Sequence, residues 1–226
     1  MAQRKQSRGT CAYCGAVIAV GGVAKHLAAC SKRGLAREVA ETWKGDPDTL
    51  YHLRVRDAYQ DEYWLDLEMA GSRTLKHLDF YLREIWLECC GHLSKFTVGG
   101  WQGIPVPISR KIEQVFRAGI ELTHIYDFGT SSETLIKPVG TRIGKPTTPH
   151  PIALMARNLM PEAQCMECER PATQVCMECV IEDDLWGVLC DEHADTHPHE
   201  EYGTLPLVNS PRVGVCGYEG PAEPPY

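Results

Sequence analysis

Between Leu50 and Arg56, Tyr51, Leu53 and Val55 alternate with His52, Arg54 and Arg56, the period-2 pattern of a strand with one buried face. Tyr63, Leu65, Leu67 and Met69 repeat it after a polar turn from Asp57 to Glu62, which predicts an antiparallel hairpin. Gly71-Ser72-Arg73-Thr74 supplies a turn and a helix N-cap. Leu75, Leu78, Leu82, Ile85, Trp86 and Cys89 then share one helical face, with Gly91 as the stop. Leu93 to Val98 fits a strand, and Ile112 to Ala118 fits a short helix or a strand equally well. Glu121 to Phe128 and Thr134 to Val139 read as strands around the turn at Gly129-Thr130-Ser131.

These patterns divide the chain into four parts. Residues 1–44 form a small N-terminal unit, closed by the turn-rich Lys44-Gly45-Asp46-Pro47-Asp48. Residues 48–140 form an α+β domain. Residues 141–160 are a linker by composition, since four prolines fall between Pro138 and Pro151, with a short strand from Ile152 to Leu159 leading out of it. Residues 161–219 carry a second cysteine cluster, and the stretch from Gly217 to Tyr226, rich in proline and glutamate, is expected to fray.

Composition agrees with a globular protein: of 226 residues, 43% are hydrophobic and 23% charged. No apolar run approaches the roughly 18–20 residues that a membrane helix needs. Met1 to Thr10 is polar and basic, unlike a secretory signal, so a cytoplasmic protein without a membrane partner is expected. The net charge of −7 hides a gradient. Residues 1–44 hold eight Lys/Arg against two Asp/Glu, whereas residues 162–226 hold two against fourteen. The first end tolerates phosphate and the second repels it.

Eleven cysteines change the picture more than the charge does. In a reducing compartment such a number points to metal or redox chemistry rather than disulfides. Cys11 and Cys14 are two residues apart, and His26 and Cys30 follow after eleven more. With Val17, Ile18 and Val20 in a small hairpin and Val23 to Ser31 helical, His26 and Cys30 lie at i and i+4 on one face. Two ligands from a turn and two from a helix suit tetrahedral zinc, and the spacing resembles small zinc fingers of the Cys-Cys-His-Cys type. A finger of this size cannot bury enough apolar surface to fold alone, so the ion would be structural. Arg4, Lys5, Arg8, Lys25, Lys32, Arg33 and Arg37 surround it, a potential phosphate-contacting surface.

Further along, Cys165-x2-Cys168, Cys176-x2-Cys179 and Cys190-x2-His193 follow within thirty residues, ahead of His197, His199 and Cys216. Six ligands exceed one tetrahedral site, so two zinc ions are expected here and three in the chain. The run resembles B-box-like cross-braced modules, in which alternate pairs share an ion. That resemblance implies one zinc on Cys165, Cys168, Cys190 and His193. The other would sit on Cys176 and Cys179 with a late histidine, His199 in preference to His197, and with Cys216. A sequential site on Cys165, Cys168, Cys176 and Cys179 is the alternative. The acidic residues Glu182, Asp183, Asp184, Asp191, Glu192, Glu200 and Glu201 are more numerous than ligation needs and read as a solvated face that favours a protein partner over phosphate. Cys89 and Cys90, with His92, read as a buried pair at a helix end in preference to a reactive thiol or an extra ligand.

In the middle domain, Tyr51-His52-Leu53-Arg54-Val55, Trp64, Thr74-Leu75 with Leu78 and Ile85, His92-Leu93-Ser94-Lys95-Phe96 and Tyr126-Asp127-Phe128-Gly129 occur in an order that resembles the Ri-plasmid open-reading-frame-three-like family of bacteria and archaea. The resemblance implies an α+β fold that opens in a β-grasp-like way, and an origin among plasmids and mobile elements. In that family an aspartate, a tryptophan and a histidine follow the Tyr-Asp-Phe-Gly turn; Thr130, Ser132 and Thr134 stand here instead. Asp127-Phe128-Gly129 lacks the glycine-rich loop, strand lysine and catalytic loop of a kinase. Gly140 to Lys145 does not have P-loop spacing. With no nucleophile–base motif, no paired carboxylates in a recognisable frame and no metal site read as having an open coordination position, the sequence favours a non-enzymatic adaptor or regulatory protein that binds protein, with a nucleic-acid accessory acting through the finger as the alternative.

Overall fold

The computed structural model describes residues 7–199 and 201–226; Arg4, Lys5 and Glu200, named above for their charge, lie outside the described residues. The chain enters through a short hairpin, β1 (Arg8–Cys11) and β2 (Val17–Ala19), followed by helices α1 (Val23–Ala29) and α2 (Ser31–Glu41). The alternating segments then form β3 (Asp48–Asp57) and β4 (Trp64–Ala70), paired antiparallel with Leu53 opposite Leu67. Helix α3 (Leu75–Leu82) starts at Thr74, whose backbone N–H donates to His77 Nδ1 at 3.3 Å.

Beyond Leu82 the helix widens into a π-helical turn, Arg83–Leu87, and stops before Cys89. Glu88 closes it, accepting from the Gly91 N–H at 2.6 Å and the Tyr126 hydroxyl at 3.0 Å. Cys89 therefore falls on a loop rather than on the helical face expected for it. The loop turns at Gly91, whose φ of 76° lies in the left-handed region.

Strands β5 (Ser94–Val98), β6 (Ile104–Val106), helix α4 (Ile112–Phe116), β7 (Leu122–Tyr126), β8 (Ser132–Gly144) and β9 (Ile152–Asn158) complete the domain. Ile112 to Phe116 thus resolves as helix. Nine strands share one sheet in the order β2-β1-β9-β4-β3-β8-β7-β5-β6, and every pairing is antiparallel. The segment 141–160, a linker by composition, contributes to two of these strands. Pro138 lies inside β8 because the register shifts between His52 and Leu53 of β3, an irregularity that spares its missing N–H. Strand β9 pairs with β4 on one side and β1 on the other, so the N-terminal hairpin extends the domain sheet.

The two faces of the sheet differ. Leu53, Val55, Leu65, Leu67 and Met69 pack on Leu75, Leu78, Leu82, Ile85 and Trp86 in the main apolar core. On the opposite face, fully buried Asp66 accepts from Arg54 Nε at 2.8 Å and also contacts His52. Glu68 accepts from Arg142 at 2.8 and 2.6 Å and from Arg33 at 2.8 Å. Buried carboxylates need such partners, and Arg33 thereby ties α2 to the sheet.

The C-terminal part contains β10 (Gln174–Cys176), α5 (Met177–Ile181), β11 (Val188–Leu189), α6 (Asp191–Thr196) and β12 (Thr204–Pro206), with the strands ordered β11-β10-β12. Its core consists largely of thiols: Cys165, Cys176, Cys179 and Cys190 around Leu189. The end of the chain is packed rather than frayed. Ser210 and Arg212 are fully buried, Tyr218 and Ala222 nearly so, and the Tyr226 ring stacks on His150 at 4.3 Å. Ser210 Oγ donates to the Trp86 carbonyl at 2.6 Å, which anchors this segment on the end of the π-helical turn.

Candidate metal centres

The N-terminal ligands come from three local elements. Cys11 ends β1, Cys14 lies in the turn that follows, His26 is on α1, and Cys30 is the N-cap of α2. Gly15, with φ of 73°, lets the turn fold back so that its N–H donates to the Cys11 carbonyl at 2.9 Å. Cys14 Sγ and His26 Nε2 are 3.4 Å apart. Burial pushes the Cys11 thiol up. At Cys30 burial acts the same way, but N–H donors of Arg33 and Lys32 and neighbouring thiols outweigh it, so this thiol is lowered. A cysteine at a helix N-terminus is favoured as thiolate. Val23, Leu27, Trp64 and Met155 pack behind the cluster, so the finger shares a core with the sheet.

In the C-terminal part, Cys165, Cys168, Cys190 and His193 form one group and Cys176, Cys179, His197 and His199 another, each with all ligand atoms within 4.8 Å. The pairs therefore alternate along the chain, and the sequential grouping is not seen. In the first group Cys165 Sγ lies 3.3 Å from His193 Nδ1, and Cys168 Sγ 3.9 Å from Cys190 Sγ. Burial raises the Cys165 thiol, but N–H groups of Cys190, Glu167 and Cys168 and the His193 ring bring it down to about 6. Arg170 Nε donates to Cys168 Sγ at 3.4 Å. In the second group Cys179 Sγ is 3.2 Å from both His197 Nε2 and His199 Nδ1. His197 presents Nδ1 to Glu167 at 2.8 Å, the carboxylate–histidine arrangement that orients metal-bound imidazoles. Gly187 permits the close approach here: a Cβ would meet the Cys176 carbonyl at 2.6 Å.

Cys216 is not with Cys176 and Cys179. His197 and His199 both fill the places beside those thiols. Cys216 instead meets Cys89, Cys90 and His92 in a fourth group, again with ligand atoms within 4.8 Å. The buried anchors Ser210 and Arg212 turn the chain back onto the domain and bring Cys216 to the loop after α3. Among the described residues, four Cys/His clusters are thus close enough to bind metal ions. Sequence reasoning does not assign Cys89, Cys90, His92 or His197 as ligands. One signal is available: once three local sets are filled, Cys216 is left over, and Cys89-Cys90-x-His92 is a three-ligand set lacking a fourth.

The basic surface around the finger is thinner than its sequence suggests. Arg8, Lys25, Lys32 and Arg37 are exposed, but Arg33 is committed to Glu68. Between them α2 exposes Leu35 and Val39, one turn apart and both more than half exposed. Around the C-terminal module Trp186 is 75% exposed beside Leu185. Trp186 also lines a groove of about 490 Å³ with Tyr59, Tyr63, Met160 and Leu207. Among the described residues no helix is long and apolar enough to cross a membrane.

No family model matches the chain, and no curated protein matches it. Among solved structures, a protein of unknown function from Methanosarcina mazei Go1 is similar at 18% identity, covering 49% of this chain and 69% of its own, with a TM-score of 0.42.

Proposed function

We propose that this chain is a non-enzymatic cytoplasmic adaptor whose two ends are organised by zinc and whose surface binds a protein partner. The observation that carries the reading is the composition of the three local clusters. Each offers four protein ligands, all cysteine or histidine. Such a set saturates tetrahedral zinc and leaves no position for a reacting water, which is the arrangement of structural rather than catalytic sites. Cross-bracing by two ions would hold the C-terminal module, whose own core is little more than the thiols themselves. The hairpin β3–β4 followed by α3 is consistent with a β-grasp-like opening and with the plasmid-family resemblance of the middle domain.

Protein rather than nucleic acid fits the exposed surface. Leu35 and Val39 on α2 and Leu185 and Trp186 on the C-terminal module offer apolar contact area, and around Leu185 and Trp186 the acidic surface would repel phosphate. The nucleic-acid reading retains the exposed cations Arg8, Lys25, Lys32 and Arg37 in its favour. Affinity capture with the wild type, Trp186→Ser and chelator-treated protein separates the two. The adaptor reading expects a protein held by the wild type and lost from both others. Capture of nucleic acid, released steeply by salt and read at 260 nm, would contradict it.

A further inference from the structure

Three of the four clusters are built from spacings within one small unit; the fourth joins residues 89–92 to residue 216 across the fold. We infer that Cys89, Cys90, His92 and Cys216 form a further zinc site, a metal clip that fastens the end of the chain to the middle domain. The inference does not depend on the partner-binding reading.

Ligand spacing is the first support. With Zn–S near 2.3 Å and Zn–N near 2.0 Å, a tetrahedron has edges of about 3.8 Å between sulfurs and about 3.5 Å between sulfur and nitrogen. Here Cys89 and Cys90 sulfurs are 3.5 Å apart and Cys90 and Cys216 sulfurs 3.7 Å apart. His92 Nε2 lies 3.4 Å from the Cys216 sulfur and 2.9 Å from that of Cys90, an edge that must open around an ion. Three thiols and an imidazole are soft ligands, which select zinc over magnesium or calcium.

The backbone, second, fixes where Cys216 stands, in a conformation that Ala222 of the same segment shares. Cys216 has φ of 53°, a conformation that costs a residue with a Cβ and persists where its surroundings require it. Cysteine, unlike asparagine or aspartate, has no side-chain amide or carboxylate to stabilise that turn locally.

Third, the groups around the ligands suit a thiolate centre. Arg212 is fully buried and donates to Cys89 Sγ at 3.5 Å and to Asp127 Oδ2 at 2.8 Å. Three thiolates and a divalent ion carry one net negative charge; Arg212 is balanced by Asp127, so its contribution is the N–H it donates to the Cys89 sulfur, the kind of hydrogen bond that outer-shell partners commonly provide. Cys90 and Cys216 are exposed, so an ion can enter from solvent.

The site would close a loop running from the end of the π-helical turn to residue 216 and containing the whole cysteine-rich module. That module already leaves the sheet at β9 and is anchored at its other end by buried Ser210 and Arg212; the clip would add a second fastening just beyond those anchors.

Native mass spectrometry of the full zinc-loaded chain tests this. The expected result is four zinc ions in the wild type and three in both Cys216→Ser and Cys90→Ser. Equal counts in wild type and variants overturn it, as does a wild-type mass two daltons low with these cysteines linked as a disulfide. Should either variant misfold, alkylation of the wild type decides: Cys89, Cys90 and Cys216 must be protected with zinc and react after chelation, and their reaction in the zinc-loaded protein overturns the site. A wild-type count of three, unchanged in the variants, removes the clip and leaves the three-ion adaptor reading standing; a count below three counts against both.

Discussion

The clusters at Cys11–Cys30 and at Cys89–Cys216 use the same ligands, three thiols and one imidazole, yet they are assembled by opposite routes. In the first, a tight turn and the helices α1 and α2 bring the ligands together within twenty residues, and an ion there would shape a unit with few apolar side chains of its own. In the second, the large core and the buried Ser210 and Arg212 put the ligands side by side before any ion arrives. Metal in the local case would supply folding free energy; in the remote case it would fix the relative position of parts already folded. The two kinds of centre should therefore fail differently.

The largest expected difference follows chelation. Structural zinc contributes on the order of 10–16 kcal/mol to small modules. Stripping the full chain should expose residues 7–31 and 161–206 to limited proteolysis while the sheet from β3 to β9 remains resistant. Uniform loss of resistance would erase the distinction.

Next is the anchor beneath the remote cluster. Arg212→Ala leaves Asp127 buried without its cation and should cost about 3–5 kcal/mol in denaturant unfolding. Pairing it with Asp127→Asn should recover part of the loss. Strict additivity of the two changes would mean that the pair is not coupled.

On the N-terminal side, Glu68→Gln weakens the hold of Arg142 on the sheet and of Arg33 on α2. About 2–3 kcal/mol is expected, with the finger still retaining its ion.

A smaller effect concerns Asp79 beneath the sheet. Burial raises its carboxyl, but the hydrogen bond from His124 at 2.8 Å, the charge of that ring and the Ser94 hydroxyl at 2.5 Å more than offset this, so it is lowered overall. A lowered carboxyl stabilises the fold above its unfolded value near 3.8, and this contribution fades as pH falls through the folded value. Asp79→Asn should flatten stability against pH in that acid window; an unchanged acid limb contradicts the assignment.

The smallest effect is at Trp186, whose exposed ring contributes little to folding. Trp186→Ser should change stability by less than about 0.5 kcal/mol while affecting partner capture.

The same contrast explains what could be read from sequence. The β3–β4 alternation, the start of α3 at Thr74 and the Cys11/Cys14/His26/Cys30 set are local patterns, and each forms where its spacing requires. Composition misleads where pairing decides: Pro138 and Gly140 suggest a linker, but β3 supplies a partner strand and an irregular register that accommodates them. By composition the stretch from Gly217 to Tyr226 should fray, yet Tyr218 and Ala222 are buried and the Tyr226 ring packs on His150 and on Tyr81 of α3. Proximity along the chain assigns Cys216 to the nearer thiols, because sequence distance stands in for spatial distance. Its true neighbours are 126 residues away for Cys90 and 124 for His92, and only the folded core joins them.

Zinc-edge X-ray absorption of the purified full chain tests most directly whether closed thiolate–imidazole centres organise this molecule. A four-coordinate shell is expected, averaging about three sulfurs near 2.3 Å and one imidazole nitrogen near 2.0 Å per ion, with no oxygen ligand. A shell dominated by oxygen, or one with fewer than two sulfurs per ion, would contradict the account.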